Sequence, residues 1–528
     1  MTVWISRRPE AQVSAEIAAA VGPLAGLRVA VEDNVDVAGL PTSAGCPEFS
    51  RRPDRDAAAV AALRAAGAVV VGKTNLDQFA TGPVGTRSPD GPVPDSRRPE
   101  YVSGGSSSGS AVAVATGTAD IAIGTDTAGS GRVTAALRGI VGIKPTIGVI
   151  STDGVVPASE SLDCVTVFGR DLHLANRAMA ALAAGAPDRP WPADTRLAAS
   201  PHPVVAIPDR LSGLDPAWSA AFDAAAAELT RHGVTLHRVA PEPFLRAGEL
   251  LRSGALVAEH FAAIVDLVAG HPDATLDPSV REVVARAGAV PARRLAGDRR
   301  RLRQWRRAAL AALDGTDALL MPTVPMHTRF ANLLDMCAVG MPAGTAGDAR
   351  FGVTVLARAF DDAVALDIAA LLGPAPISDA VWPAAAADAV ELVVFGAHLR
   401  GGPLVHQLTD RGARFAGEIT TAARYRMTAL STTPAKPAVT RVPDDAPGAA
   451  LTGHRWLLSP AALGAFLADL PAPMQLGKVE FADGSWRTAF GCDAASAAAG
   501  IDISGYGGWA AALARVPGLG SVPTAPDM

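Results

Sequence analysis

Eight consecutive small residues, Ser103-Gly104-Gly105-Ser106-Ser107-Ser108-Gly109-Ser110, lie inside sequence that is otherwise suited to burial. By composition alone such a run reads as a flexible linker. Its surroundings argue otherwise, because residues 111–115 and 121–124 are apolar and a linker rarely interrupts core-forming sequence. A second run of small residues follows, Gly124-Thr125-Asp126-Thr127-Ala128-Gly129-Ser130-Gly131-Arg132. Two such loops flanking a buried helix let backbone N–H groups approach a bound molecule closely. An oxyanion hole requires this arrangement, since it aims N–H donors at developing negative charge.

The sequence around these loops alternates helix and strand. Residues 57–66 carry helix formers, Gly67 stops them, and 68–71 form a short β-branched run. Further on, 204–207 read as a strand. Asp215 then caps a helix with Pro216 at its first position; Trp218, Phe222, Ala225 and Leu229 follow at helical spacing, and Gly233 ends it. Residues 234–239 read as another strand. This alternation predicts an α/β fold with a covered sheet. The texture changes over 374–389, where Pro374, Pro376, Pro383 and a run of alanines predict a linker. Beyond it, 390–528 are long enough for a separate, smaller α+β domain after a first domain of 1–373.

Composition narrows the partners. Hydrophobic residues make up 49% and charged residues 19%, so a substantial core is available and disorder of the whole chain is excluded. Forty-seven Lys and Arg against 52 Asp and Glu leave a net charge of −5. The densest basic cluster, Arg299-Arg300-Arg301 with Arg303 and Arg306-Arg307, lies in a helical pattern and reads as a solvated face, not a nucleic-acid site. A small-molecule partner is expected. Cys46, Cys164, Cys337 and Cys492 are too far apart for a metal-spaced or redox pair, which favours a reduced cytoplasmic setting. The first 19 residues lack the apolar run of a signal peptide, and no 18-residue apolar stretch suits a membrane span.

A serine nucleophile needs a group to take its proton. The first 200 residues hold a single histidine, His173, and neither it nor the nearby His202 lies in a motif, which argues against a Ser-His-Asp triad. A serine–lysine variant with a second serine as relay remains open. At this point a resemblance enters. Residues 101–146, from Tyr101-Val102-Ser103-Gly104-Gly105 to Gly142-Ile143-Lys144-Pro145-Thr146, resemble the amidase signature. That resemblance implies a mixed central sheet covered by helices, Ser130 as the acyl-forming nucleophile, and Ser106, 24 residues earlier, as a relay serine in a cis peptide. It also implies an oxyanion hole formed by the N–H groups of Thr127, Ala128 and Gly129. Residues 72–82, Gly85-Thr86-Arg87-Ser88-Pro89, Ala128 and Ser161-Leu162-Asp163-Cys164 resemble the allophanate hydrolases within that family. So do Gly396-Ala397-His398-Leu399, 403–408 and Gly505-Tyr506-Gly507-Gly508-Trp509 in the C-terminal part, where His398 and His406 become candidate acid–base residues. The expectations are a small-molecule amide substrate, no cofactor or metal, no nucleic acid or membrane partner, and a homodimer.

Two departures stand out. The family's catalytic lysine belongs to a Val-Lys-Asp-Asn segment, and here that segment reads Val31-Glu32-Asp33-Asn34. Glutamate also accepts protons, but its reference pKa of about 4.3 makes it a far weaker base than lysine at about 10.4. Lys73 and Lys144 match family positions of their own. The second departure is a shortened stretch between Pro325 and Phe330, where by resemblance part of the substrate pocket forms; Asp90 and Thr134 are milder changes. Three readings stay open: an allophanate hydrolase of urea and nitrogen catabolism using Ser130, Ser106 and Glu32; a catalytically inactive binding or scaffolding protein; and an amidase repurposed for another small amide.

Overall fold

The computed structural model describes residues 2–517 apart from 186, 272 and 375–380, together with residue 519. Two compact units emerge: 1–191 with 202–384, and 192–201 with 385–528.

The first unit is built on a mixed sheet. Its strands are β1 Trp4–Arg7, β2 Arg28–Glu32, β3 Val69–Thr74, β4 Ile121–Thr125, β5 Val141–Lys144, β6 Val165–Gly169, β7 Val204–Pro208, β8 Thr235–Val239, β9 Ala318–Pro322, β10 Met336–Ala346 and β11 Ala349–Arg358. They pair in the order β1-β3-β2-β4-β6-β5-β10-β11-β9-β7-β8. The β3-β2-β4 and β9-β7-β8 groups are parallel, and the strands between them antiparallel. Parallel strands need cover on both faces, so they read as unbroken apolar runs such as Val29-Ala30-Val31 and Val69-Val70-Val71, all buried. Helices Ser108–Ala115 and Ser130–Arg138 pack on this sheet. The α/β class expected from the sequence is the one observed. Helix Ala58–Ala65 leads into β3, and Asp215 accepts from Trp218 N to cap Pro216–Arg231. No helix among the described residues is long and apolar enough to cross a membrane.

The second unit is α+β. A five-stranded sheet is ordered Arg414–Thr420, Thr452–Leu458, Val390–Val394, Trp486–Cys492, Met474–Glu480. Its core gathers Leu392, Phe395, Met427, Trp456, Phe466 and Phe490. The division of the chain differs from the sequence reading in two places. Residues 192–201 join the second unit, where Leu197 N donates to Gly412 O at 2.9 Å and Leu197 O accepts from Arg414 Nε at 2.6 Å. Part of the expected 374–389 linker belongs to the first unit instead. Trp382 is buried there, donates to Asn176 Oδ1 at 2.8 Å and meets Trp191 edge-on. Residues 375–380 of that linker lie outside the described residues.

One buried ion pair ties the elements around the second small-residue loop. Asp126 and Arg132 are both fully buried and joined at 2.9 Å through Arg132 Nε and a terminal nitrogen. Burial opposes ionisation of Asp126, but the Arg132 charge outweighs it and holds the carboxyl below its usual range. The carboxylate also accepts from Gly129 N and Gly131 N, while Arg132 donates to Thr328 O and Asn332 Oδ1. Asn332 closes the ring by donating to Asp126 O and Leu162 O. Removing one member strands a buried charge, which typically costs about 3–5 kcal/mol. Arg132→Met is therefore expected to lower unfolding free energy by about that amount. A double variant, Arg132→Met with Asp126→Leu, should recover much of the loss. Denaturant unfolding of the three proteins measures both.

Candidate active site

Three segments bring the expected residues together. Glu32 ends β2, Ser106 and Ser107 precede helix Ser108–Ala115, and Ser130 opens helix Ser130–Arg138. The Gly105–Ser106 peptide is cis. Gly129 has φ +118°, and a Cβ there would lie 2.4 Å from Thr328 Oγ1, so only glycine fits the turn that delivers Ser130. Ser130 is partly exposed and lines a cavity of about 190 Å³ together with Gly105, Thr127, Ala128 and Gly129. Arg87, Arg286 and Arg329 line it as well, and no carboxylate among the described residues does. Its charge suits an anionic occupant.

Glu32 is fully buried. Its Oε2 accepts from Ser107 Oγ at 2.8 Å, Thr125 N at 2.7 Å and Thr125 Oγ1 at 3.3 Å. A Cβ on Gly124 would meet Oε2 at 2.7 Å, so glycine is what admits the carboxyl. Burial pushes the Glu32 pKa up to about 8, against the lowering effect of these hydrogen bonds. The carboxyl is therefore mostly protonated at neutral pH.

The structure corrects two details of the sequence reading. Ser107, not Ser106, bonds Glu32. The Ser106 Oγ is buried with no protein partner, and so is Glu32 Oε1. The bonded oxygen of Glu32 is held by Ser107 and Thr125. The second correction concerns Gly129, whose N–H already donates to Asp126 Oδ1 at 2.8 Å. Among the described residues the N–H groups of Thr127, Ala128 and Ser130 have no protein acceptor, so Ser130 N joins Thr127 and Ala128 as an available donor. Neither Lys73 nor Lys144 bonds Glu32, Ser106 or Ser130. Lys73 Nζ lies 3.3 Å from Asp33 and 3.1 Å from Thr42 Oγ1, and Lys144 Nζ donates to Pro145 O at 2.6 Å.

Sequence reasoning passed over Ser107, Thr125 and His260. Ser107 and Thr125 stood inside the two small-residue runs. His260 comes from a helix 130 residues beyond Ser130, with no motif to mark it. It lines the cavity, its Nδ1 has no protein partner, and burial lowers its pKa to about 4, which keeps it neutral.

In the second unit the two candidate histidines part. His398 is buried, stacks on Phe490 with ring centres 5.1 Å apart, and its Nε2 meets Gln407 Oε1 at 2.8 Å. It lines a cavity of about 20 Å³ with Lys436. Space of that size suits one water molecule. His406 is exposed, with Nδ1 3.1 Å from Pro403 O, and does not line that cavity. A residue that opens a short surface helix follows the solvent and not the core.

Comparison with known proteins bears on the family and the fold. Residues 5–335 match the amidase family. The chain belongs to the amidase family. This amidase-family chain also matches the allophanate hydrolase C-terminal domain over 390–514. It is 36% identical to urea amidolyase of Saccharomyces cerevisiae over 93% of its length, and spans 29% of that much longer relative. The solved structure of Kluyveromyces lactis allophanate hydrolase matches with a TM-score of 0.88 at 32% identity, covering 97% of this chain and 93% of that one. A further relative, 2-amino-5-chloromuconic acid deaminase of Comamonas testosteroni, is 34% identical over 61% of this chain and 76% of its own.

Glu32 should also be visible in stability. Its folded pKa of about 8 lies above the ordinary 4.5, so the folded protein holds this proton more tightly than the unfolded chain. Its contribution is complete below about pH 4.5 and is lost as pH rises through about 8. Asp163 and Asp362, both raised to about 6 by burial, act in the same direction over a lower range. The difference between wild type and Glu32→Gln isolates Glu32. It should shift toward the glutamine variant by up to about 1.4 kcal/mol per pH unit between about pH 5 and 8. Denaturant midpoints across that range supply the check.

Proposed function

We propose that the chain is an amide hydrolase of the allophanate type, with Ser130 as nucleophile and Glu32 as base. The observation that carries this reading is the pair of buried oxygens without protein partners, Glu32 Oε1 and Ser106 Oγ. A proton relay from Ser130 needs a hydroxyl and an acceptor in these roles. Ser107 and Thr125 hold the other carboxylate oxygen and orient the group. Ser130 Oγ attacks the amide carbon while its proton passes through Ser106 to Glu32. The carbonyl oxygen takes negative charge before the N–H groups of Thr127, Ala128 and Ser130. The C–N bond breaks, the nitrogen takes up the proton and leaves as ammonia. Water then cleaves the ester, returning the Ser130 proton and releasing the acid. Allophanate carries a carboxylate beside its terminal amide, which fits a cavity lined by Arg87, Arg286 and Arg329. His398 is the acid–base candidate of the second unit, acting on the dicarboxylated product as it breaks down toward carbon dioxide and ammonia.

A pKa of about 8 suits a base working near that pH. The competing reading is an inactive binding protein, favoured by the missing hydrogen bond between Glu32 and Ser106. Ammonia release from allophanate across about pH 6 to 9.5 separates the two. With Glu32 as base, kcat/KM rises tenfold per pH unit and levels off above about 8, and Glu32→Gln loses about 10²–10⁴-fold. Wild type without activity, with activity gained by Glu32→Lys, would show a disabled enzyme instead. No activity in either protein, both folded, would leave the binding reading.

A further inference from the structure

Arg329 borders three cavities at once: the Ser130 cavity, a second of about 430 Å³ and a third of about 390 Å³. The short turn Pro325–Thr328 contributes to all three linings, Pro325 and Thr328 to the first, Met326 and His327 to the second, Pro325 and Met326 to the third. Thr328 holds one side of this turn against the nucleophile loop through Ala128 O at 3.3 Å. Met326, half exposed, divides the second cavity from the third. Ser130 thus has considerably more adjoining space than its own 190 Å³.

The second and third cavities differ in chemistry. The third is walled by Leu214, Trp218 and Val324, and its Asp215 is committed to capping the helix that follows. The second holds Ser212, Ser253 and His327 beside Arg329. His327 is only 2% exposed, yet its Nδ1 has no protein partner. Burial lowers its pKa to about 4, so the ring is neutral and offers one N–H and one lone pair. A buried ring nitrogen without a partner is unfavourable unless a ligand group reaches it. Glu249, the one carboxylate in this lining, is more than half exposed and pairs with Arg246 at 3.2 Å.

We propose that the cavity behind Arg329 is a tail subsite for linear primary amides that end in a carboxylate several carbons from the amide. The amide lies at Ser130, the chain runs along Arg329, which borders both cavities, and the carboxylate settles between Arg329 and His327. Turnover of such amides rests on the hydrolase reading above, but their binding does not, and the test uses that separation. Malonamate, succinamate, glutaramate and adipamate, the half-amides of dicarboxylic acids of rising length, serve as probes. Calorimetry is run on the full-length Ser130→Ala protein, which keeps both cavities and cannot form the ester. Affinity is expected to rise at least tenfold from malonamate to adipamate. Neutral adipamide should show none of that gain. Ser253→Phe, at an exposed helix end, fills the subsite from its rim. It should abolish the gain while leaving malonamate binding and the Tm unchanged. Equal affinity along the series, equal binding of adipamide, or a gain that survives Ser253→Phe would each overturn the subsite. If the length dependence holds in Ser130→Ala while wild type releases no ammonia from any probe, the subsite stands and the hydrolase reading falls.

Discussion

The buried Asp126–Arg132 pair is the interaction on which the site depends. Two fully desolvated charges are tolerable only when every donor and acceptor is met, and this pair meets them with the groups the site must hold still. The carboxylate draws in the N–H groups of Gly129 and Gly131 on either side of Ser130. The guanidinium reaches across to the carbonyl of Thr328 and to Asn332. The second small-residue loop, helix Ser130–Arg138 and the Pro325–Thr328 turn are therefore tied together. The arrangement also explains why Gly129 N is unavailable to an oxyanion. Its hydrogen bond sets the loop so that the N–H groups of Thr127, Ala128 and Ser130 stay open.

A glutamate at position 32, where the resemblance to the amidase signature implies a lysine, inverts the meaning of the same burial. Desolvation disfavours whichever form is charged. A buried lysine becomes a neutral amine, which is a base. A buried glutamate becomes a neutral acid, which is a donor, and it regains basicity only as pH approaches the value of about 8 to which it is pushed. No neighbouring cation offsets this. Lys73 on β3 is turned to Asp33, Pro41 and Thr42. Basicity at position 32 is therefore set by three hydrogen bonds from Ser107 and Thr125 against full desolvation and the neighbouring charge of Asp77. That balance gives pH a direct hold on the site.

What was legible in the sequence was whatever a short pattern determines. The strand–helix alternation, the Asp215 cap and the two small-residue loops each rest on local backbone chemistry, and each stands where it was expected. The choice between Ser106 and Ser107 as partner of Glu32 was not legible. Two adjacent serines are identical as text, and only the turn of the backbone through Gly105–Ser106 decides which hydroxyl faces the carboxyl. The Gly129 N–H was lost to a different cause, the Asp126 side chain competing for a backbone donor. Residues 192–201 join the second unit through the backbone of Leu197, which donates to Gly412 O and accepts from the Arg414 side chain, contacts that leave no trace in composition. His260 and Arg286 reach the cavity from helices far along the chain and carry no local mark.

The polar atoms without partners argue about use as well as geometry. Glu32 Oε1, Asn34 Oδ1, Ser106 Oγ and Ser108 Oγ all sit within the segments that converge on Ser130. Each buried, unpaired group costs about 1–3 kcal/mol, and alanine or another small apolar residue at these positions would remove that penalty. A scaffold that needed only its shape would be more stable without them. Small residues already dominate both loops, so such replacements would disturb packing little. Their clustering at the ends of β2 and of the first small-residue loop places the local cost where a bound molecule or a migrating proton would meet it.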